Sequence, residues 1–227
     1  MSKSEIHDDK VKILVDEIFN LVENLETNIE PSKQIDQIFK KYPFLIIKRP
    51  NTIKFPRLRF NLESNDIDHL KENKLIDKNN KINLDFCKIE NLTPLEKILY
   101  SVLWKQGDLG KEKHIISGVL NSSQVDDGLV FYYFGRHLQS KIENPIVDQH
   151  VIRAFRIKEC FDFENIKSIR NKDFNNSKKG LIDKKIVIQN YLNWHKKIRI
   201  KREKNQQEDL TYNLDLLFFA LGKFIKN

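Results

Sequence analysis

The sequence predicts a mainly α-helical, multi-helix globular domain with a small α+β element near its N-terminal third. Three observations point there. Several stretches repeat apolar residues at three- and four-residue steps, the period of a helix with one buried face. Glycine and proline are scarce, seven and six in 227 residues, too few for a turn-rich β architecture. Charged residues reach 32%, enough to coat the wet faces of helices, while 40% hydrophobic residues supply a core rich in Phe.

Each element has a local reason. From about Glu5 to Ile29, the residues Val11, Leu14, Ile18, Val22, Leu25 and Ile29 form one stripe, and Pro31 ends it. Ser32 to Tyr42 follows, with Ile35, Ile38 and Phe39 on one side. Pro43 then precedes, and Pro50 and Pro56 interrupt, FLIIKRPNTIKFPRLRF, which predicts extended segments and turns. Its Lys48, Arg49, Lys54, Arg57 and Arg59 interleave with Ile53, Phe55 and Phe60. Such alternation grips a phosphate backbone while rings stack on bases, or, more commonly, buries its aromatic face and wets the basic one. Asn65 to Leu84 reads as a short capped helix followed by a hairpin turn at Lys78–Lys81. Residues 31–90 make up the α+β element, so the expected division is 1–90 and 91–227, with a soft boundary near Glu90.

Thr93, Pro94 and Glu96 have the spacing of a capping box, opening a helix whose buried face is Leu95, Ile98, Leu99, Val102 and Leu103. Gly107 and Gly110 are too sparse to cradle a phosphate and read as a C-cap and a turn. Helices over Lys111–Leu120 and Gly128–Leu138 follow; the second carries Phe131, Tyr132, Tyr133 and Phe134, which suit core packing. Phe161–Asn176 reads as a short helix plus loop. A long helix over Ile186–Lys204 begins with Val187, Tyr191 and Trp194 and ends in the cationic run HKKIRIKREKN. Leu210–Ile225 closes the core.

The stretch with most chemical content is Asn144–Phe155, NPIVDQHVIRAF. Pro145 holds Asn144 extended, and Val151, Ile152 and Phe155 then recur at helical spacing. Asp148 stands where an N-cap is wanted, with free backbone N–H groups ahead of it, an arrangement that lowers a carboxyl pKa. Two readings stay open: a cap with a surface His150 beside it, or a functional carboxylate at a helix N-terminus.

The segment resembles the "VDTHV-x-R" stretch of the helix-hairpin-helix DNA glycosylase superfamily. On that resemblance Asp148 matches the catalytic Asp, which caps a helix and activates water or lysine against the sugar of a damaged nucleotide. His150, Val151 and Arg153 match the residues after it. The chain departs from the pattern upstream, where VDDGLVF stands at the place of the "LPGVGxKTA" hairpin. No lysine lies between Lys113 and Lys141, so the nucleophilic lysine has no counterpart; Lys105 is the nearest substitute. The resemblance therefore implies a monofunctional or inactive relative, with Trp104, Tyr132 and Tyr133 as candidates to hold a flipped base and His150 and Arg153 beside them.

Charge supplies a second line of argument. From His150 to Lys204 there are sixteen Lys and Arg against six Asp and Glu, a balance of +10 in a chain of net +8. Such asymmetry suits a DNA partner, with Lys196, Lys197, Arg199, Lys201 and Arg202 as candidate phosphate contacts, and equally a solvated face. No cofactor is expected, and no metal, since the histidines show neither HxxxH nor HExxH spacing. Two distant cysteines, a polar N-terminus and apolar runs no longer than Leu216–Leu221 predict a cytoplasmic protein without a membrane span. Two functions follow: a DNA-associated protein similar to the base-excision glycosylases, or a non-enzymatic helical module for a protein partner, as in a bacterial defence or toxin–antitoxin system.

Overall fold

A computed structural model describes residues 7–53, 55–83, 93–107, 110–122, 128–160, 163–171 and 178–226, and within these it leaves out the side chains of 95, 96, 99, 100, 103, 104, 163, 164, 171 and 178–182. The described chain is mainly α-helical. Its helices are α1 (Asp8–Glu23), α2 (Pro31–Lys41), α3 (Ser64–Glu72), α4 (Pro94–Gln106) and α5 (Glu112–Val119), then α6 (Leu129–Gln139), α7 (Gln149–Glu159), α8 (Phe163–Asn171), α9 (Lys178–Arg199) and α10 (Lys204–Phe224). By contacts the chain forms two compact units: residues 1–58 with 145–227, and residues 59–144. The expected boundary near Glu90 falls on residues outside the described set.

The first unit is built on α10, which packs against α7, α2 and the turn after α2. Val11, Val15, Ile18, Phe19 and Val22 of α1 are buried, and α1 packs chiefly against α7 and α8. The centre is aromatic. Phe19 stacks on Phe218 at 4.6 Å and lies 4.9 Å from Trp194, while Phe155 meets Tyr191 edge-on at 5.5 Å. Rings from α1, α7, α9 and α10 thus meet at one place, and each large buried aromatic stabilises by several kcal/mol in ~3–5 kcal/mol truncation terms. α1 ends six residues before Ile29 because the chain folds back there. Gln34 accepts from the Glu26 amide at 2.7 Å and donates to the Glu26 and Ile29 carbonyls.

The second unit pairs α5 with α6 at unusually close range, which two glycines allow. A Cβ at Gly118 would lie 2.0 Å from the Tyr132 carbonyl oxygen, and one at Gly135 2.0 Å from that of Ile115. Ile67, Ile76, Ile116 and Val119 form its apolar centre.

The small α+β element is not present as a sheet. Among the described residues there is one isolated antiparallel bridge, Ile76 to Ile82, and no strand. The turn between them is there, tied by the Asp77 carboxylate, which accepts from the Asn79 and Lys81 amides at 2.8 and 2.9 Å. That carboxylate lies below its usual pKa range, chiefly because of the Lys81 amide. Asn80 takes the left-handed conformation at φ 60°, which Asn tolerates. The stretch expected to be extended, Pro43–Lys48, instead winds as a 3₁₀ helix with Pro43 in its first turn, where a missing N–H costs nothing.

Other boundaries moved as well. α9 begins at Lys178, ahead of the expected Ile186, and α10 at Lys204 rather than Leu210. On α4 the inward assignment of Ile98 and Val102 fails, since both are exposed; the side chains of Leu95, Leu99 and Leu103 lie outside the described set.

Candidate functional site

The site grows from the entry to α7. Pro145 and Val147 are buried, which fixes the approach of the chain, and Asp148 is extended at φ −119° and ψ 175°. Its Oδ1 accepts from the amides of His150 and Val151, both at 2.7 Å, so Asp148 is the N-cap that the sequence predicts.

One stripe of α10 receives this turn. Asp215 Oδ2 accepts from the Ile146 amide at 3.1 Å. A turn later, the Phe219 ring meets the His150 ring edge-on at 4.8 Å. Gly222 then lets the helices touch, because a Cβ there would fall 1.9 Å from the His150 carbonyl oxygen. Arg153 is buried and donates to the Gly222 carbonyl at 3.3 Å; its Nη1 also lies 3.1 Å from His150 Nδ1. An Arg nitrogen only donates, so Nδ1 accepts, and the neutral imidazole carries its proton on Nε2.

The electrostatics differ from expectation. Burial pushes the Asp148 carboxyl above its usual range, against the opposing pull of the Val151 and His150 amides, His150 and Arg153. The cap lowers this pKa as predicted, and desolvation outweighs it. Burial also lowers the His150 pKa, against the pull of the Asp148 charge and with the Arg153 charge in the same direction. Burial drives Asp215 well up, and the Asp148 charge adds to that. Tyr191 is driven well up by burial, with Asp215 and Asp148 contributing. A carboxyl raised towards neutrality beside a neutral imidazole is suited to proton transfer.

Asp215 was missed in the sequence, although its spacing marks it. Thr211, Asp215, Phe218 and Gly222 follow one another at four, three and four residues, along the buried side of the last helix. An acid on that stripe is the unusual feature.

The other candidates lie elsewhere. Tyr132 and Tyr133 belong to the second unit, where both are buried and pack edge-on at 5.3 Å; the Tyr132 hydroxyl donates to Asn121 Oδ1 and the Ser122 carbonyl. They form core rather than an open stacking platform. The Trp104 side chain lies outside the described set. A groove of about 520 Å³ runs over Lys97, Ile98, Ser101, Val102, Lys105 and Gln106 of α4, so Lys105 lines a surface of the second unit. His114 and His137 are buried there too, the latter with Nδ1 2.8 Å from the Asn144 carbonyl oxygen. Among the described residues no three His, Cys, Asp or Glu side chains form a metal-ligand group.

The basic run splits by residue type. Lys196, Lys197 and Lys201 are exposed. Arg199 and Arg202 are buried: Arg199 donates to Gln207 Oε1 at 2.9 Å, and Arg202 donates to the Ile29 carbonyl at 2.6 Å. The two arginines hold the fold together and are not available to phosphates. In the proline-rich stretch the reverse occurs. Ile53 and Phe55, expected to be covered, are 90% and 66% exposed, whereas Arg49 pairs with Asp36 at 3.1 Å and Arg57 with Glu208 at 3.1 Å. Lys54 lies outside the described set.

No protein-family model, curated protein or solved structure matches the chain. Among the described residues no helix is long and apolar enough to cross a membrane.

Proposed function

We propose that the chain is a DNA-associated protein similar to the helix-hairpin-helix base-excision glycosylases, with Asp148 as its working carboxylate. The observation that carries this reading is a half-buried Asp at the head of α7 whose carboxyl is raised by burial while two amides hold it in place. With no lysine matching the family's nucleophile, the reaction is hydrolysis. As the bond from the sugar to the damaged base breaks, its electrons leave with the base, and Asp148 stabilises the oxocarbenium-like sugar. Water adds to the anomeric carbon and gives its proton to Asp148. Exposed Lys196, Lys197 and Lys201 supply phosphate contacts, and exposed Phe55 a ring for an unstacked base.

The reading as a binding module without chemistry is favoured by a different observation. Arg153, Tyr132, Tyr133, Arg199 and Arg202 all make contacts inside the protein. An abasic-site assay on a panel of damaged duplexes, run beside duplex binding at several salt concentrations, separates the two. Abasic sites support the enzyme. Salt-dependent binding without them supports a DNA-binding descendant, and the absence of both supports the module.

A further inference from the structure

Asp148 and Asp215 are two carboxyls in one packed region with unequal surroundings. Asp148 is half-buried and takes two amide hydrogen bonds on one oxygen. Asp215 is 7% exposed and takes one, from Ile146 to Oδ2; its buried Oδ1 has no hydrogen-bond partner among the described residues. No described cation forms an ion pair with it. The Tyr191 hydroxyl, buried on α9, has no hydrogen-bond partner among the described residues either. The geometry that joins the two acids is a stripe of α10 laid along the α7 turn: Asp215 against Ile146, then Phe219 and Gly222 against His150. Asp148 is flanked on both sides by these contacts.

We infer that Asp148 and Asp215 act as an unequal carboxyl pair, in which Asp215 stays a neutral acid and is the positioning residue that holds the turn presenting Asp148 as the base. The physical argument is one of solvation. A carboxylate buried with one amide and no counter-cation costs several kcal/mol in general, so the proton stays on. The second carboxyl, with two amides and access to water, is the one that ionises. Environments that separate two carboxyls in this way assign the acid and the base. The direction of both shifts agrees, since burial raises both carboxyls and Asp215 is raised also by its neighbour's charge. Asp215 touches no substrate in this scheme. It bonds to the backbone of Ile146, two residues ahead of the cap, and so sets where Asp148 stands.

The inference rests on the base-excision reading for its catalytic meaning, and a titration tests it without activity. Side-chain carboxyl resonances of the full chain would be followed by NMR from acid to neutral pH, in wild type, Asp215→Asn and Asp215→Leu. Asp215 is expected to remain protonated after Asp148 has ionised. Asp215→Asn keeps an acceptor for the Ile146 amide and stays uncharged, so the Asp148 midpoint and the Ile146 amide shift should hardly move. Asp215→Leu removes the acceptor and should displace both. Abasic-site formation, where the wild type shows it, should survive Asp215→Asn and fall in Asp215→Leu.

The inference is overturned if Asp215 ionises before Asp148, or if Asp215→Asn disturbs the Asp148 titration as much as Asp215→Leu does. If Asp215→Leu fails to fold, the wild-type titration and the Asn variant still decide the matter. A wild type that titrates as expected and forms no abasic sites removes the base-excision reading and leaves the pair standing.

Discussion

The turn into α7 and the basic end of α9 stand out equally in the sequence, yet the structure treats them in opposite ways. At the turn, the hydrogen bonds that set the geometry run within the protein: two amides on Asp148, one on Asp215, and Arg153 on the Gly222 carbonyl. At the end of α9 the charges divide. The lysines stay in water, while the arginines go inward and clamp α10 and the loop after α1. Arg is suited to that work because its planar fork bonds carbonyls while its stem packs against apolar groups. A high count of positive charge is therefore a poor measure of an anion-binding surface until each residue has been placed.

The contrast gives predictions of decreasing size. The most damaging change should be Gly222→Ala, because the added Cβ meets backbone of α7 that cannot move aside. A loss at the upper end of the roughly 1–3 kcal/mol typical of overpacking is expected in a denaturant melt. A neutral result would mean that α7 and α10 are not in close contact. Next comes Arg202→Ala. Removing the charged donor from the Thr27 and Ile29 carbonyls should cost about 1.5–3 kcal/mol, with no change in DNA affinity beyond that due to unfolding. Lys201→Ala should do the opposite, staying within ~0.5 kcal/mol in stability while the salt dependence of DNA binding falls by about 0.9 in log–log slope. Equal effects of Lys201→Ala and Arg202→Ala on both readouts would erase the contrast.

Two buried groups make pH predictions of opposite sign. The folded pKa of Asp215 is raised, so its contribution to stability is complete below the unfolded value of about 4 and is lost as pH climbs through the folded one. Asp215→Asn should therefore match wild type in melts near pH 4 and gain on it steadily as pH rises. His195 is fully buried with neither ring nitrogen hydrogen-bonded among the described residues, and burial, helped by Arg199, lowers its pKa to about 3. Its contribution is complete above the unfolded value of roughly 6.5 and is lost as pH falls towards the folded one. His195→Phe should flatten that acid limb of the stability curve. An unchanged limb would place the imidazole in contact with water.

Much of this was legible in the residues. Pro145 and Asp148 announce the α7 cap, and the Phe-rich stripes announce the core. The helical period even separates the basic residues, since Arg199 and Arg202 continue the inward line of Tyr191, Trp194 and Ile198. Reading HKKIRIKREKN as one block concealed that. What was not legible depends on tertiary partners. The bond from Ile146 to Asp215 joins residues 69 apart, and nothing local to either announces it. The raised carboxyl of Asp148 likewise follows from tertiary burial, which outweighs a local cap effect of the right sign. The 3₁₀ turn at Pro43 defeated the strand expectation because Pro serves a helix start as well as an edge strand.

The central claim is that Asp148 does chemistry as well as capping, and one substitution separates the two roles. Asn caps a helix about as well as Asp, so Asp148→Asn should melt within about 1 kcal/mol of wild type. A neutral amide neither stabilises a developing sugar cation nor takes a proton from water, so the variant should leave no abasic sites on duplexes from which the wild type excises a base. Asp148→Ala, by comparison, should lose the cap as well, at roughly 0.5–2 kcal/mol. Abasic sites formed by Asp148→Asn at the wild-type rate would contradict the assignment of Asp148, and a wild type that forms none on any substrate would contradict the enzyme itself.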